Sequence, residues 1–110
     1  MSFEIRTSPI FSRELKSLAK KYPSLKGDYA KLLDELAADP TSGVSIGRSC
    51  YKVRMAIRSK GKGKSGGARA VTYVRVVRQI VILLTVYDKS EKENLTAQEL
   101  DHLIAQAEGV

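Results

Sequence analysis

Between Cys50 and Arg69 the chain reads CYKVRMAIRSKGKGKSGGAR: a strand, a glycine–lysine loop and the opening of a second strand. Alternation places Tyr51, Val53, Met55 and Ile57 on one face of the first strand. Lys52, Arg54 and Arg58 fall on the other face, with the small Ala56 between them. The loop interleaves Gly61, Gly63, Gly66 and Gly67 with Lys60, Lys62 and Lys64, and Arg69 opens the next strand. From Pro40 to Tyr87 there is no Asp or Glu, while ten of the chain's 19 Lys and Arg lie there. A hairpin with that charge is a site for a polyanion.

The rest of the chain supplies the scaffold. At 110 residues it is expected to form one domain, residues 1–110, with a modest core. A hydrophobic content of 43% argues for a folded chain, and a net charge of +7 favours nucleic acid or an acidic protein as partner. A membrane partner is not expected: the longest apolar run, Ile80–Leu84, is far too short to span a bilayer. Arg6 and Arg13 interrupt any apolar signal core, and a lone Cys50 rules out an internal disulfide, so a cytoplasmic location is expected. Cys50 with the single His102 makes no metal set, and neither a metal nor a cofactor is expected.

Phe3 and Ile5 alternate with Glu4 and Arg6 in a first strand. Ser8-Pro9 starts a helix with Phe11, Leu15, Leu18 and Tyr22 in its apolar stripe. A second helix begins at Ser24, carries Leu25, Tyr29, Leu32, Leu33 and Leu36, and stops at Asp39-Pro40. Thr41–Ser49 reads as a polar connector. Strands are expected over Cys50–Ile57, Ala68–Val77 and Ile80–Tyr87, the last nearly all apolar and therefore internal to the sheet. Leu95-Thr96-Ala97-Gln98-Glu99-Leu100 combines a capping box with a hydrophobic staple and opens a final helix. The order β-α-α-β-β-β-α defines an α+β fold. A small antiparallel sheet packs against an N-terminal helical hairpin, with a C-terminal helix.

Gly63-Lys64-Ser65 has the ending of a phosphate-binding P-loop, but position 58 is Arg where that motif needs glycine, and a strand follows instead of a helix. A nucleotide hydrolase is therefore rejected. The loop is read instead as a mobile cationic flap, with Arg58, Lys60, Lys62 and Lys64 contacting phosphates. Lys52 and Arg54 project from one strand face, and Arg69 joins them if the two strands pair. Tyr87 is read as a core residue with its hydroxyl at the rim, Cys50 as a small buried side chain, and His102 as a surface residue.

The element order, Cys50–Arg54 (CYKVR), the loop exit Lys64–Arg69 (KSGGAR) and Val86–Thr96 (VYDKSEKENLT) together resemble the RelE/HigB toxins of bacterial type II toxin–antitoxin modules. The resemblance covers nearly the whole chain, and the long Gly/Lys loop is closer to the HigB branch. It implies a RelE-like fold and a cytoplasmic messenger-RNA endoribonuclease that works in the ribosomal A site without a metal. The antitoxin is implied as partner, often encoded next door. The family's basic strand pair falls on Lys52 and Arg54, its hairpin arginine on Arg69, and its later basic residue on Lys89. On that mapping Lys52, crowded by two arginines and so lowered in pKa, is the general base. Arg54 and Arg69 clamp the scissile phosphate, and Lys89 or Lys64 protonates the leaving oxygen. Some RelE enzymes carry a substrate-orienting tyrosine where this chain has Leu95; Tyr87 is the residue available to serve instead. Two other functions fit the fold or the charge. A ParE-like gyrase inhibitor does not require the cation cluster, and a non-catalytic nucleic-acid-binding module forms no product.

Overall fold

The computed structural model describes residues 3–61 and 63–110. Strand β1 (Glu4–Thr7) leads into helices α1 (Pro9–Lys21) and α2 (Leu25–Ala38). Strands β2 (Val44–Gly47) and β3 (Cys50–Met55) follow, then two short 3-10 turns at Arg58–Lys60 and Lys64–Gly66. Strands β4 (Ala68–Arg75) and β5 (Ile80–Asp88) and helix α3 (Ala97–Ala107) complete the chain. The fold is α+β, as the sequence implies. No helix among the described residues is long and apolar enough to cross a membrane.

The helices begin where their capping residues stand. Ser8 accepts the Phe11 amide at 3.0 Å, and Pro9 occupies the first turn, where its missing N–H costs nothing. At α3 the capping box is complete: Thr96 accepts from the Glu99 amide, and the Glu99 carboxylate accepts from the Thr96 amide. Ser24, in contrast, has helical backbone angles and makes no side-chain cap. Its hydroxyl turns to Asp28 (2.7 Å) and Ser59 (2.9 Å), which ties α2 to the basic loop.

The sheet has the order β1-β5-β4-β3-β2 and is mixed. β1 runs parallel to β5, from Glu4 opposite Ile80 to Thr7 opposite Leu83, while the other pairs are antiparallel. Alternation specifies the face that a residue occupies but neither the partner nor the direction of its strand. The small antiparallel sheet expected from the sequence is present in β2 to β5, and the parallel pairing of β1 with β5 is the one departure among the described strands. β5 is internal, as expected, and all nine of its residues are buried.

The polar connector Thr41–Ser49 is also corrected, because it contains β2. Arg48 and Ser49 form the turn to β3 with φ of 58° and 63°. Two consecutive left-handed residues match the twist of a two-residue hairpin, a job that Asn-Gly normally performs and that Arg-Ser does not advertise. Arg48 is held by an ion pair with Asp101 of α3.

Helices cover both faces of the sheet. Phe11, Leu18, Leu25, Leu32 and Leu36 of α1 and α2 pack on Val53, Met55, Ala70, Leu83 and Val86. Leu100, Leu103, Ile104 and Ala107 of α3 pack on Cys50, Val71, Ile82, Leu84 and Tyr87. Phe11 and Leu36 have no exposed surface, so truncating either to alanine costs about 3 kcal/mol or more.

One irregularity decides the site. Ala68–Val71 pair with Asp88–Thr85, but Thr72 pairs with Leu83, which leaves Leu84 as an extra residue on β5. This bulge resets the alternation. Leu84 packs toward α3, whereas Val86 packs toward α1 and α2, and Tyr87 turns back beneath α3. Glu14 of α1 holds the bulge: its carboxylate accepts the Thr85 hydroxyl at 2.6 Å and the Val86 amide at 3.3 Å.

Candidate functional site

The register places Arg54, Arg69 and Tyr87 in one row across β3, β4 and β5. Residues opposite one another in a ladder share a face, and Lys52, two residues before Arg54, shares it too. Beside this row lies a cleft of about 490 Å³. Lys52, Arg54, Lys64, Arg69 and Lys89 all line it. Three strands and the loop thus bring together the cations that were far apart in the chain.

Arg69 is only 5% exposed. Its guanidinium donates to the carbonyls of Lys64, Ser65 and Ala68, each at 3.1 Å. Burial, and then the neighbouring Arg54, lower it from the ordinary arginine value. An arginine remains charged at neutral pH nonetheless, so the cleft is built around a fixed cation. Among the described residues no carboxylate pairs with it; its partners are the carbonyl dipoles of Lys64 and Ser65 in the loop and of Ala68 at the start of β4. Glycine is needed two residues before Arg69: a Cβ on Gly67 would stand 2.3 Å from the Met55 carbonyl oxygen, closer than such atoms approach.

Lys52 donates to the Asn94 side chain at 2.9 Å. Asn94 lies on the segment before α3 and lines the same cleft; within DKSEKEN it has no local signal of its own, and only the fold brings it to Lys52. Lys89, the first residue after β5, is positioned by its backbone, whose amide donates to the Gly67 carbonyl at 3.1 Å.

The loop is not left without acidic neighbours, as the acid-free stretch led one to expect. Three of its cations are ion-paired to acids outside the acid-free stretch. Arg58 Nε donates to Asp28 at 3.0 Å, Lys60 Nζ to Asp88 at 2.8 Å, and Lys64 Nζ to Glu35 at 2.9 Å. β3 ends at Met55, so Arg58 leaves the strand face on which alternation put it and turns to α2. Lys60 does not line the cleft, and its side chain is 11% exposed. Lys64 remains at the cleft wall. Lys62 lies outside the described residues.

Tyr87 is corrected in one respect: its hydroxyl is buried rather than at the rim, and it has no hydrogen-bond partner among the described residues. Burial raises its pKa, opposed by Arg69 and reinforced by Glu99, so the phenol is neutral at physiological pH. The ring forms part of a second cavity of about 290 Å³ beneath α3, which shares Lys52 and Asn94 with the main cleft. Cys50 is fully buried, and burial pushes its thiol up to about 11, as a core side chain requires. His102 lies exposed on α3.

The fold is a small α+β domain with a cationic cleft on one face of its sheet, and comparison with known proteins places such a domain among the toxins of toxin–antitoxin systems. A family model described as the RelE toxin of the RelE/RelB toxin–antitoxin system matches residues 34–110, a span that holds every residue of the cleft. The chain belongs to the RelE toxin family. Among solved structures it is similar to a mutant of the E. coli toxin RelE in the free state, with a TM-score of 0.60 and 16% identity. That match covers 97% of this chain and 99% of the other, and at such identity it speaks for the fold.

Proposed function

We propose that this toxin is a ribosome-dependent endoribonuclease that cleaves messenger RNA at the cationic cleft and so stops translation. The observation that carries the reading is the convergence of Lys52, Arg54, Arg69 and Lys89 on one cleft around a nearly buried guanidinium. Attack by a ribose 2′-hydroxyl on the adjacent phosphate builds negative charge on the phosphorane oxygens. Preorganised cations stabilise that charge without reorganising at the moment of reaction.

In this reading Lys52 takes the 2′-hydroxyl proton while the 2′-oxygen bonds to phosphorus. Asn94 orients its amine. Arg54 and Arg69 hold the non-bridging oxygens, for which planar guanidinium forks are suited. The bond to the 5′-oxygen breaks, and Lys89 or Lys64 supplies its proton. The products are a 2′,3′-cyclic phosphate and a 5′-hydroxyl, and no metal takes part. Tyr87 supports Arg69 from the neighbouring strand. The ribosome supplies the substrate orientation that a 110-residue chain cannot supply alone. Its restraint falls to a cognate antitoxin with an acidic or apolar segment suited to the basic face, and the complex resides in the cytoplasm.

The test is cleavage of a ribosome-bound message in the presence of EDTA, with ends mapped by primer extension. Wild type is expected to cut within the A-site codon, and Lys52→Ala and Arg69→Ala are expected to lose at least about 100-fold in rate. Growth arrest on expression with no cuts on or off the ribosome overturns the reading and directs attention to gyrase supercoiling.

A further inference from the structure

The most enclosed ionic group among the described residues lies outside the cleft. Asp88 ends β5 with its side chain wholly buried. One carboxylate oxygen accepts Lys60 Nζ at 2.8 Å, the Ser90 amide at 2.9 Å and the Ser90 hydroxyl at 2.8 Å. The other accepts the hydroxyl of Tyr22, the residue that caps α1. The Asp88 carbonyl accepts the amides of Glu91 (3.0 Å) and Lys92 (3.2 Å). Lys60 is further enclosed by the Tyr22 ring, whose centroid lies 5.6 Å from its Nζ.

Four segments therefore meet at one carboxylate: the end of α1, the first turn of the loop, the end of β5, and the turn that carries Lys89. Both sides of the cleft depend on that meeting. On one side, Asp88 shapes the turn in which Lys89 stands, and the Lys89 amide binds Gly67. On the other, the pair with Lys60 pins the loop whose Lys64 and Ser65 carbonyls hold the Arg69 guanidinium. The carboxylate itself has no exposed surface with which to meet substrate.

We propose that Asp88 is the positioning residue of the cleft, and that Lys60 serves as its counter-ion instead of as an RNA ligand. Together they hold Lys89 and Arg69 in place on the wall of one cleft. The inference rests on reading this cleft as the site of phosphate chemistry. A group about 1 Å out of place is enough to lower a rate about 100-fold. The effect falls on kcat, because phosphate attraction over the surface persists when alignment is lost.

The experiment compares wild type, Asp88→Asn, Lys60→Met and the double variant Asp88→Asn/Lys60→Met. Single-turnover cleavage on ribosomes is measured alongside hydrogen exchange at the Lys89 amide. Asp88→Asn leaves Lys60 buried without its counter-ion and is expected to lower the melting temperature. The double variant removes that buried charge and is expected to recover most of the melting temperature. Its cleavage rate is nonetheless expected to stay about 30- to 100-fold down with KM within two-fold, and its Lys89 amide to lose protection while β4 and β5 keep theirs. A double variant that recovers both stability and rate, or retains full Lys89 protection, overturns the proposal and makes the network merely structural. If wild type itself fails to cleave, the ribonuclease reading falls, and the Lys89 exchange still decides whether Asp88 positions this turn.

Discussion

Arg54 and Arg69 stand directly opposite one another on β3 and β4, in the one register position of that pair where two cations face each other. Like charges so placed destabilise a sheet by some tenths of a kcal/mol. Arg69 is nearly buried at that position, and Arg54 is exposed beside it. The arrangement favours an anion between them over the empty cleft. Arg54→Gln is therefore expected to stabilise the free protein by about 0.5 kcal/mol, a rise of a few degrees in melting temperature. The same variant is expected to lose at least about tenfold in cleavage rate. Thermal melts and ribosome assays on one preparation check both, and a variant that loses stability contradicts the account.

Asp88 links stability to acid. Burial pushes its carboxyl up, but hydrogen bonds from Lys60, Tyr22 and Ser90 outweigh burial and hold it well below the usual carboxylate range. Its folded pKa is thus lower than the unfolded value of about 3.9. The stability it contributes is present above that value and is lost as pH falls below it. The gap in unfolding free energy between wild type and Asp88→Asn is expected to be about 3 kcal/mol and flat from about pH 5 to 8, then to narrow below about pH 4. Urea titrations across this range test it; a gap that widens in acid has the wrong sign.

Glu14 secures the bulge that sends Tyr87 beneath α3. Replacing it with alanine leaves the buried Thr85 hydroxyl and Val86 amide without their acceptor, a loss of about 1–3 kcal/mol. Glu14→Gln keeps an oxygen at the same place and is expected to recover most of that stability in denaturant unfolding. Cleavage is expected to follow the same order, with Glu14→Ala the more impaired, because the row containing Arg69 and Tyr87 depends on the bulge.

Cys50 provides a chemical probe of the folded state. Its thiol is fully buried and its pKa raised to about 11, so only a small thiolate fraction exists at pH 8. Iodoacetamide is expected to label the native protein at least about 100-fold more slowly than the urea-unfolded chain. Mass spectrometry measures the rates, and comparable labelling in the native protein contradicts the burial.

The sequence by itself determined the helices, the strands from β3 onward and the cations of the cleft. These are local properties: apolar spacing, the caps at Ser8 and Thr96, and the alternation that sends Lys52 and Arg54 to one face. Resemblance in the loop exit and the β5 end carried the family as well. Only the tertiary structure decided the rest. The direction of β1 and the presence of β2 depend on partners that no local pattern names. The Gly/Lys loop reads as an unneutralised flap because Asp28, Glu35 and Asp88 lie outside the acid-free stretch, and only folding brings them to Arg58, Lys64 and Lys60. Asn94 reaches Lys52 across 42 positions of chain. The extra residue in β5 is invisible in a run of apolar side chains, yet it decides which face Tyr87 occupies. Charge and periodicity are summed along the chain, whereas neutralisation and register are settled between segments, and the chemistry of this site depends on the second.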